Sequence, residues 1–209
     1  MKILIADDHS VVRRGLQQVI SERSDWSVVS EVAAAADVLP ALRRTPVDLV
    51  MLDVSLGDRS GIDVLGHIRA EFPHLPVLIF SMHQEEQYAI RCLRAGAAGY
   101  VQKDSAPETI LEAIEWAATG HTYVTPAVAE QLAAGLTRDA TDAAPHELLS
   151  DREFEVFRLL AAGRSATEIA EALSLSIKTV STYRTRVLQK TGFRSNADII
   201  AYGIRTGLV

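Results

Sequence analysis

Val47–Asp53 reads VDLVMLD: six residues compatible with the inside of a sheet, then an aspartate where the run stops. A parallel strand covered by helices on both faces reads as a continuous apolar run. Ligands of such sheets collect at the carboxyl ends of the strands. Asp53 is therefore expected at a point where chemistry happens, and the neighbouring segments show what else arrives there.

Lys2–Ala6 (KILIA) predicts a first buried strand ending at Asp7, Asp8 and His9. Ser10–Arg23 has helical apolar spacing through Val11, Val12, Leu16, Val19 and Ile20. Trp26–Val32 predicts a second strand, and Ala33–Arg43 a helix stopped by Thr45-Pro46. After Asp53, the residues Asp58, Arg59, Ser60 and Gly61 predict a polar loop, followed by a helix marked by Ile62, Leu65 and Ile68. Pro76–Phe80 is the fourth strand, with Ser81 at its end, and Glu85–Ala95 the fourth helix. Ala98–Val101 is a short fifth strand running into Lys103, and Ser105–Thr119 a fifth helix. That helix is expected to open on a Ser105/Glu108 capping box, with Pro107 in its first turn. Five strand–helix repeats imply an α/β fold with a doubly wound, five-stranded parallel sheet. Neither GxGxxG after the first strand nor GxxxxGK[ST] anywhere is present, so a dinucleotide or P-loop site is not expected.

The 209 residues allow two domains, and the 48% apolar and 23% charged content is ordinary for a soluble chain. No apolar run approaches membrane-spanning length, so no signal peptide, no membrane span and a cytoplasmic setting are expected. Cys92 is the only cysteine, which excludes an intrachain disulfide framework. The net charge of −6 is unevenly spread. Residues 1–125 hold 17 acidic and 11 basic side chains, residues 126–149 hold 4 and 1, and residues 150–209 hold 6 and 9. Only the last sixty or so residues have the charge balance of a nucleic-acid binder.

The strand ends deliver Asp7 and Asp8, Asp53, Ser81 and Lys103 to one edge of the sheet. Three carboxylates brought together need a cation, and an all-oxygen set suits Mg²⁺. A hydroxyl and an ammonium beside them suit phosphoryl oxygens. The combination points to Asp53 as the carboxylate that becomes an acyl phosphate. Taken singly, each residue has an ordinary explanation: Asp8 as a helix cap, Ser81 as a loop residue, Lys103 as a solvated lysine. Their arrival at the correct strand ends together favours the chemical reading.

Residues 1–120 resemble the receiver domain of two-component response regulators, a flavodoxin-like sheet of strand order 2-1-3-4-5. The resemblance rests on Asp7-Asp8, Asp53, Ser81, Lys103-Asp104 and Tyr100. It implies that Asp53 is the phosphoacceptor. Asp7, Asp8, Asp53 and the Ser55 backbone carbonyl would hold Mg²⁺, and Ser81, Tyr100 and Lys103 would bind the phosphoryl group and switch with it. Two departures stand out. The loop VSLGDRSG lacks the proline usual after the phosphoacceptor, and Ser81 replaces the family's threonine.

Residues 121–147 are expected to link two domains: Pro126–Leu136 as a short helix, then Thr137–Glu147 (TRDATDAAPHE) as a flexible tether with an exposed, inert His146. Residues 148–209 predict four helices. The first opens on a Ser150/Glu153 box, the second, Thr167–Leu173, on Ser165/Glu168, and the last on Ser195 with Asp198. The turn Ser174–Ser176 before a helix from Ile177 to Thr191 makes a helix-turn-helix. On that third helix Ile177, Val180, Val187 and Leu188 are expected to face inward, and Lys178, Ser181, Thr182, Thr185 and Gln189 outward. Cationic groups hold phosphates, while hydroxyls and amides read bases. A small docking domain with a merely solvated basic stripe satisfies the same pattern.

LSDREFEVFRLLAAGRSATEIAEALSLSIKTVSTYRTRVLQKTG resembles the LuxR-type DNA-binding domain of the NarL/FixJ class. The resemblance implies that Lys178, Tyr183, Arg184 and Lys190 contact the DNA backbone and that Ser181, Thr182 and Thr185 face base edges. Tyr183 stands where the family more often has histidine. The last helix, through Ile199 to Gly203, is implied as a dimer contact. Together the resemblances imply a transcription regulator, not an enzyme, phosphorylated by a histidine kinase or phosphotransfer protein and binding double-stranded DNA as a homodimer. Two alternatives are a regulator that dimerises without phosphate and a Mg²⁺-dependent aspartyl phosphohydrolase. The second lacks the usual further carboxylate, since Ser55 stands two residues after Asp53.

Overall fold

The computed structural model describes residues 1–56, 59–82, 85–136, 144–173 and 175–209. Asp58 of the expected polar loop, residues 137–143 of the expected tether and Ser174 of the expected turn lie outside the described residues. The chain divides into two compact units, Met1–Ala134 and Gly135–Val209.

The first unit is a five-stranded parallel sheet built from β1 (Lys2–Ala6), β2 (Ser27–Val32), β3 (Leu49–Leu52), β6 (Val77–Ser81) and β7 (Gly99–Gln102). The order β2-β1-β3-β6-β7 is the expected 2-1-3-4-5 when these five are counted in sequence. All four residues of β3 and all five of β6 are buried, which is why they read as unbroken apolar runs. Alternate residues face opposite sides. Ile3, Ile5, Leu49, Met51, Leu78 and Phe80 pack with Leu16 and Ile20 of α1 (Ser10–Ser21) and with Ile110 and Ile114 of α5 (Pro107–Ala118). The intervening Leu4, Val50, Leu52 and Ile79 are equally buried. The remaining helices of this unit are α2 (Ala35–Arg44), α3 (Gly61–Glu71), α4 (Glu85–Arg94) and α6 (Pro126–Leu136).

Three local readings are corrected. The loop after Asp53 contains a two-stranded hairpin, β4 (Ser55–Leu56) against β5 (Arg59–Ser60), and Ser60 then caps α3 by accepting from the Ile62 N–H. No Ser105/Glu108 capping box forms: Pro107 is the first residue of α5 and Ala106 its N-cap, with no side-chain cap bond. Proline drives its predecessor out of the helical region, so Ala106 is extended and the helix cannot begin at Ser105. Asp8 is not a helix cap either, since His9 occupies that position and makes no side-chain cap bond.

The second unit contains α7 (Asp151–Ala161), α8 (Ala166–Ala172), α9 (Ile177–Thr191) and α10 (Asn196–Thr206), preceded by a 3-10 turn, Pro145–Leu148. The boxes at Ser150/Glu153, Ser165/Glu168 and Ser195/Asp198 all form, and each satisfies two otherwise unpaired backbone donors. Gly192 ends α9 in the left-handed region at φ 74, where a side chain would be strained. Phe154, Phe157, Val180, Val187 and Ile199 form the centre of this unit.

Two expectations fail here. His146 is half-buried rather than exposed: its Nδ1 lies 2.7 Å from the Tyr202 hydroxyl, and its ring packs beside Phe154. Ile177 is 51% exposed, because the first turn of α9 projects beyond the core that Val180 and Val187 reach.

A buried ion pair within α7 holds an arginine that also reaches the C-terminal end of α8. Arg152 Nη1 reaches Glu155 Oε2 at 2.5 Å, and Arg152 Nη2 donates to the Leu173 carbonyl at 3.0 Å. Removing one member of such a pair leaves an uncompensated buried charge. Arg152→Met is therefore expected to destabilise the second unit by roughly 3 kcal/mol or more, with much of the loss recovered in Arg152→Met/Glu155→Leu. Urea unfolding followed by far-ultraviolet circular dichroism measures both, and an unaffected single variant would refute the coupling.

Candidate functional site

Parallel pairing of β1, β3, β6 and β7 sets their carboxyl ends side by side. Asp7 and Asp53 follow β1 and β3 directly, Ser81 closes β6, and Lys103 follows β7. Backbone bonds continue past the strands and fix these positions: Asp7 N–H to Val32 O at 3.1 Å, Asp53 N–H to Ala6 O at 2.8 Å and Lys103 N–H to Ser81 O at 2.9 Å. Gly61 fixes the other side of Asp53. A Cβ at residue 61 would lie 2.0 Å from the Asp53 carbonyl oxygen, so only glycine allows α3 to start so close behind it.

The structure brings Asp7, Asp8, Asp53 and Lys103 together. Asp7 and Asp53 are buried at 1% and 2% exposure. Lys103 Nζ, on a side chain almost as buried, stands 2.6 Å from Asp7 Oδ2 and 2.7 Å from Asp53 Oδ2. The contact to Asp53 is an aligned hydrogen bond. The contact to Asp7 is an ion pair, and no aligned hydrogen bond reaches Asp7 Oδ2. The Ser55 N–H donates to Asp53 Oδ1 at 3.1 Å, so the residue whose carbonyl is expected to ligate Mg²⁺ is tied to the same carboxylate. Ligand atoms of Asp7, Asp8, His9 and Asp53 all lie within 4.8 Å of one another. The donor set, mostly oxygen with an inward buried carboxylate oxygen, fits a hard divalent cation. His9 is absent from the expected set; its one sequence signal is adjacency to Asp8 on the same loop.

Burial pushes the Asp53 carboxyl up to about 6, although Lys103 pulls it down; the Asp7 charge adds to the rise and the Ser55 N–H opposes it. Ser81 is fully buried and hydrogen-bonded to the Tyr100 phenol. Tyr100 is itself 1% exposed, and burial holds its phenol well above the usual range. Tyr100, expected to switch together with Ser81, thus already lies inside beside it.

On α9 the expected outward residues Lys178, Ser181, Thr182, Thr185 and Gln189 are exposed. Thr182 Oγ1 donates to Lys178 O and Thr185 Oγ1 to Ser181 O, both at 3.0 Å, which leaves each hydroxyl its acceptor lone pairs. Arg184 and Lys190, two of the expected backbone contacts, have partners inside the unit. Arg184 Nε donates to Asn196 Oδ1 at 2.6 Å, and Lys190 Nζ to Glu153 Oε2 at 2.6 Å. Burial pushes the Glu153 carboxyl up, but the Lys190 and Ser150 hydrogen bonds outweigh it and hold the group below its usual value. Tyr183 carries the Arg186 guanidinium over its ring at 5.9 Å.

Residues 3–115 match the response regulator receiver domain family, and residues 147–202 match the bacterial regulatory proteins of the luxR family. The chain is 33% identical over 215 residues to the oxygen regulatory protein NreC of Staphylococcus aureus (strain MRSA252), covering 100% of this chain and 99% of that one. RcsB of Salmonella enterica serovar Typhimurium, solved bound to promoter rprA with the phosphomimetic BeF3-, superposes with a TM-score of 0.66 at 26% identity over 97% of each chain. A LuxR-family two-component response regulator from Aurantimonas sp. SI85-9A1 gives 0.60 at 35% identity, covering 66% of this chain and 98% of that one.

The raised Asp53 value has a direction in stability. A carboxyl whose folded value lies above its unfolded value of about 4 stabilises the fold fully below that pH, and the contribution is lost as pH rises through about 6. Both tryptophans, Trp26 and Trp116, lie in the first unit, so their fluorescence reports its unfolding. In chelator, wild type is expected to lose up to roughly 3 kcal/mol relative to Asp53→Asn between pH 4 and 7.5. A difference that stays flat with pH would remove burial as the dominant influence on Asp53.

Proposed function

The chain belongs to the response regulators that join a receiver domain to a luxR-family DNA-binding domain, and from that membership we propose that phosphorylation of Asp53 controls its binding to promoter DNA. The observation that carries the reading is the buried Asp53 carboxylate, 2.7 Å from Lys103 Nζ and flanked by Asp7 and Asp8.

The phosphoryl donor is a phosphohistidine on a partner kinase or phosphotransfer protein. An Asp53 oxygen attacks phosphorus, the O–P bond forms as the P–N bond breaks, and the imidazole leaves with a proton from solvent. Asp7, Asp8, Asp53 and the Ser55 carbonyl would hold Mg²⁺; when bound, the ion would offset charge on the phosphoryl oxygens. Lys103 keeps its ammonium against the same oxygens, and the Ser81 hydroxyl donates to one of them. The chain is an acceptor rather than an enzyme, with slow loss of its own phosphoryl group as its only turnover. Ser55 supplies no carboxylate for the general acid–base work of a phosphohydrolase.

The added negative charge draws Ser81 toward Asp53 and disturbs its bond to Tyr100, which alters the packing of β6, β7 and α4. The output is a homodimer placing two copies of α9 in successive major grooves. Lys178 and Tyr183 contact phosphates, with Arg184 and Lys190 joining them on exchange of their present partners. Ser181, Thr182 and Thr185 face base edges. A cytoplasmic location follows from this function.

Beryllofluoride or acetyl phosphate is expected to raise the affinity of wild type for promoter DNA in footprinting and to leave Asp53→Ala unchanged. Equal activation of both proteins would instead support regulation by dimerisation without phosphate. Lys178→Ala is expected to weaken binding to all sequences and to reduce the salt slope by about 1. Thr182→Ala is expected to relax preference at one base pair by about 1–3 kcal/mol; a uniform loss on every sequence would exclude base reading by Thr182.

A further inference from the structure

We propose that His9 is a ligand of the divalent ion held by the acid cluster, and that it shifts the preference of the site from Mg²⁺ toward a first-row transition ion. The proposal rests on the reading above in which Asp8 and Asp53 hold a divalent cation.

His9 Nδ1 lies 2.6 Å from Asp8 Oδ1 and 3.5 Å from Asp7 Oδ1. With Asp53 included, the four ligand atoms fall within 4.8 Å of one another. An octahedral ion with bonds of about 2.1 Å places neighbouring ligands roughly 3 Å apart and opposite ones roughly 4.2 Å apart. The imidazole nitrogen therefore stands next to the carboxylate expected to bind the ion, within a small shift of the shell that such an ion organises.

The backbone explains why the ring is available. His9 is the N-cap of α1 at φ −87 and ψ 108, an extended conformation, yet its side chain makes no cap bond. Its own N–H donates to Asp7 Oδ1 at 2.7 Å, and Arg13 Nη1 donates to the Asp7 carbonyl at 2.7 Å. These two bonds hold the Asp7–His9 turn rigid. The first of them also commits Asp7 Oδ1, while Oδ2, 2.6 Å from Lys103 Nζ, is left buried without an aligned hydrogen bond. The imidazole is 66% exposed and its Nδ1 is paired with Asp8 Oδ1 at 2.6 Å, a contact that an ion bound by both groups would replace.

The donor set then becomes carboxylate oxygens, one carbonyl and one imidazole nitrogen. Mg²⁺ is a hard ion that prefers oxygen and keeps its waters, so it gains little from the ring. Later first-row divalent ions bind imidazole well and rise in affinity along the series to Cu²⁺. The ring therefore discriminates between ions more than it strengthens binding in general.

The full-length chain, stripped of metal, can be titrated with Mg²⁺ and with Co²⁺ by calorimetry, with the Co²⁺ visible absorption recorded. Competition by Mg²⁺ confines the Co²⁺ signal to the acid cluster and excludes the other histidines. In wild type, Co²⁺ is expected to bind more tightly than Mg²⁺ and to be displaced only by excess Mg²⁺. His9→Ala is expected to lower Co²⁺ affinity by about tenfold or more, to lower Mg²⁺ affinity by much less, and to change the Co²⁺ spectrum. Equal affinity ratios and spectra in the two proteins would overturn the role of His9 while leaving the cation site standing. Failure of both ions to compete for one site in wild type would overturn the cation reading and this proposal with it.

Discussion

One ammonium group between two buried carboxylates governs the geometry of the first unit's working edge. Asp7 and Asp53 end adjacent strands, and without a cation between them their charges would repel in a poorly solvated space. Lys103 arrives from two strands further along and serves both at 2.6 and 2.7 Å. A compact ammonium can do this, whereas a planar guanidinium would commit to one carboxylate in a bidentate pair. The compensation is incomplete. Three acids face one lysine, and Asp53 is still pushed up to about 6 because burial outweighs the attraction of Lys103. The fold thus supplies a site left short of positive charge, which is the condition under which a divalent ion and then a phosphoryl group fit.

The sheet was legible because β1, β3 and β6 are buried on both faces, so their apolar runs needed no periodicity to be seen, whereas its order came from the resemblance to receiver domains. The capping boxes of α7, α8 and α10 were legible because both partners lie within one turn. The same local rule misplaced the start of α5, where the restriction that Pro107 imposes on Ala106 overrode the Ser105/Glu108 pattern. The β4–β5 hairpin was missed because two-residue strands carry no period. His146 was misread because its partner, Tyr202, lies 56 residues away, and nothing local marks a contact that only the fold creates. The chemical residues of the site were legible as strand ends. The contribution of His9 was hidden because a ring's direction is set by the turn that carries it.

The bond between Ser81 and Tyr100 changes the form the switch can take. A mechanism in which an exposed aromatic swings into a vacated space requires that space to be open, yet Tyr100 is already inside and bonded to Ser81. The phosphoryl group must then compete with the phenol for one hydroxyl. A ligand shifts such an equilibrium only by its differential affinity for the two arrangements. What the phosphoryl group offers Ser81 is a charged acceptor in place of a neutral one, and hydrogen bonds to charged groups are roughly twice as strong. On the reading proposed above, the switch is an exchange of partners within a packed core.

The same accounting bears on the second unit. The nine basic residues against six acidic ones in residues 150–209 suggest a surplus available to DNA, but the fold has spent part of it. Arg152 is buried against Glu155, Lys190 is bonded to Glu153 and Arg164 to Glu168, while Arg184 is held by Asn196. Of the cations on α9, Lys178 and Arg186 remain outside these bonds, and Arg186 lies over the Tyr183 ring. Affinity for a polyanion scales with the number of phosphates neutralised. A single copy with so few cations to offer binds weakly at physiological salt, and two linked copies double the count while paying the entropy of association once. On the reading proposed above, a domain that has engaged Arg152, Arg164, Arg184 and Lys190 with its own residues depends the more on pairing to neutralise enough phosphates.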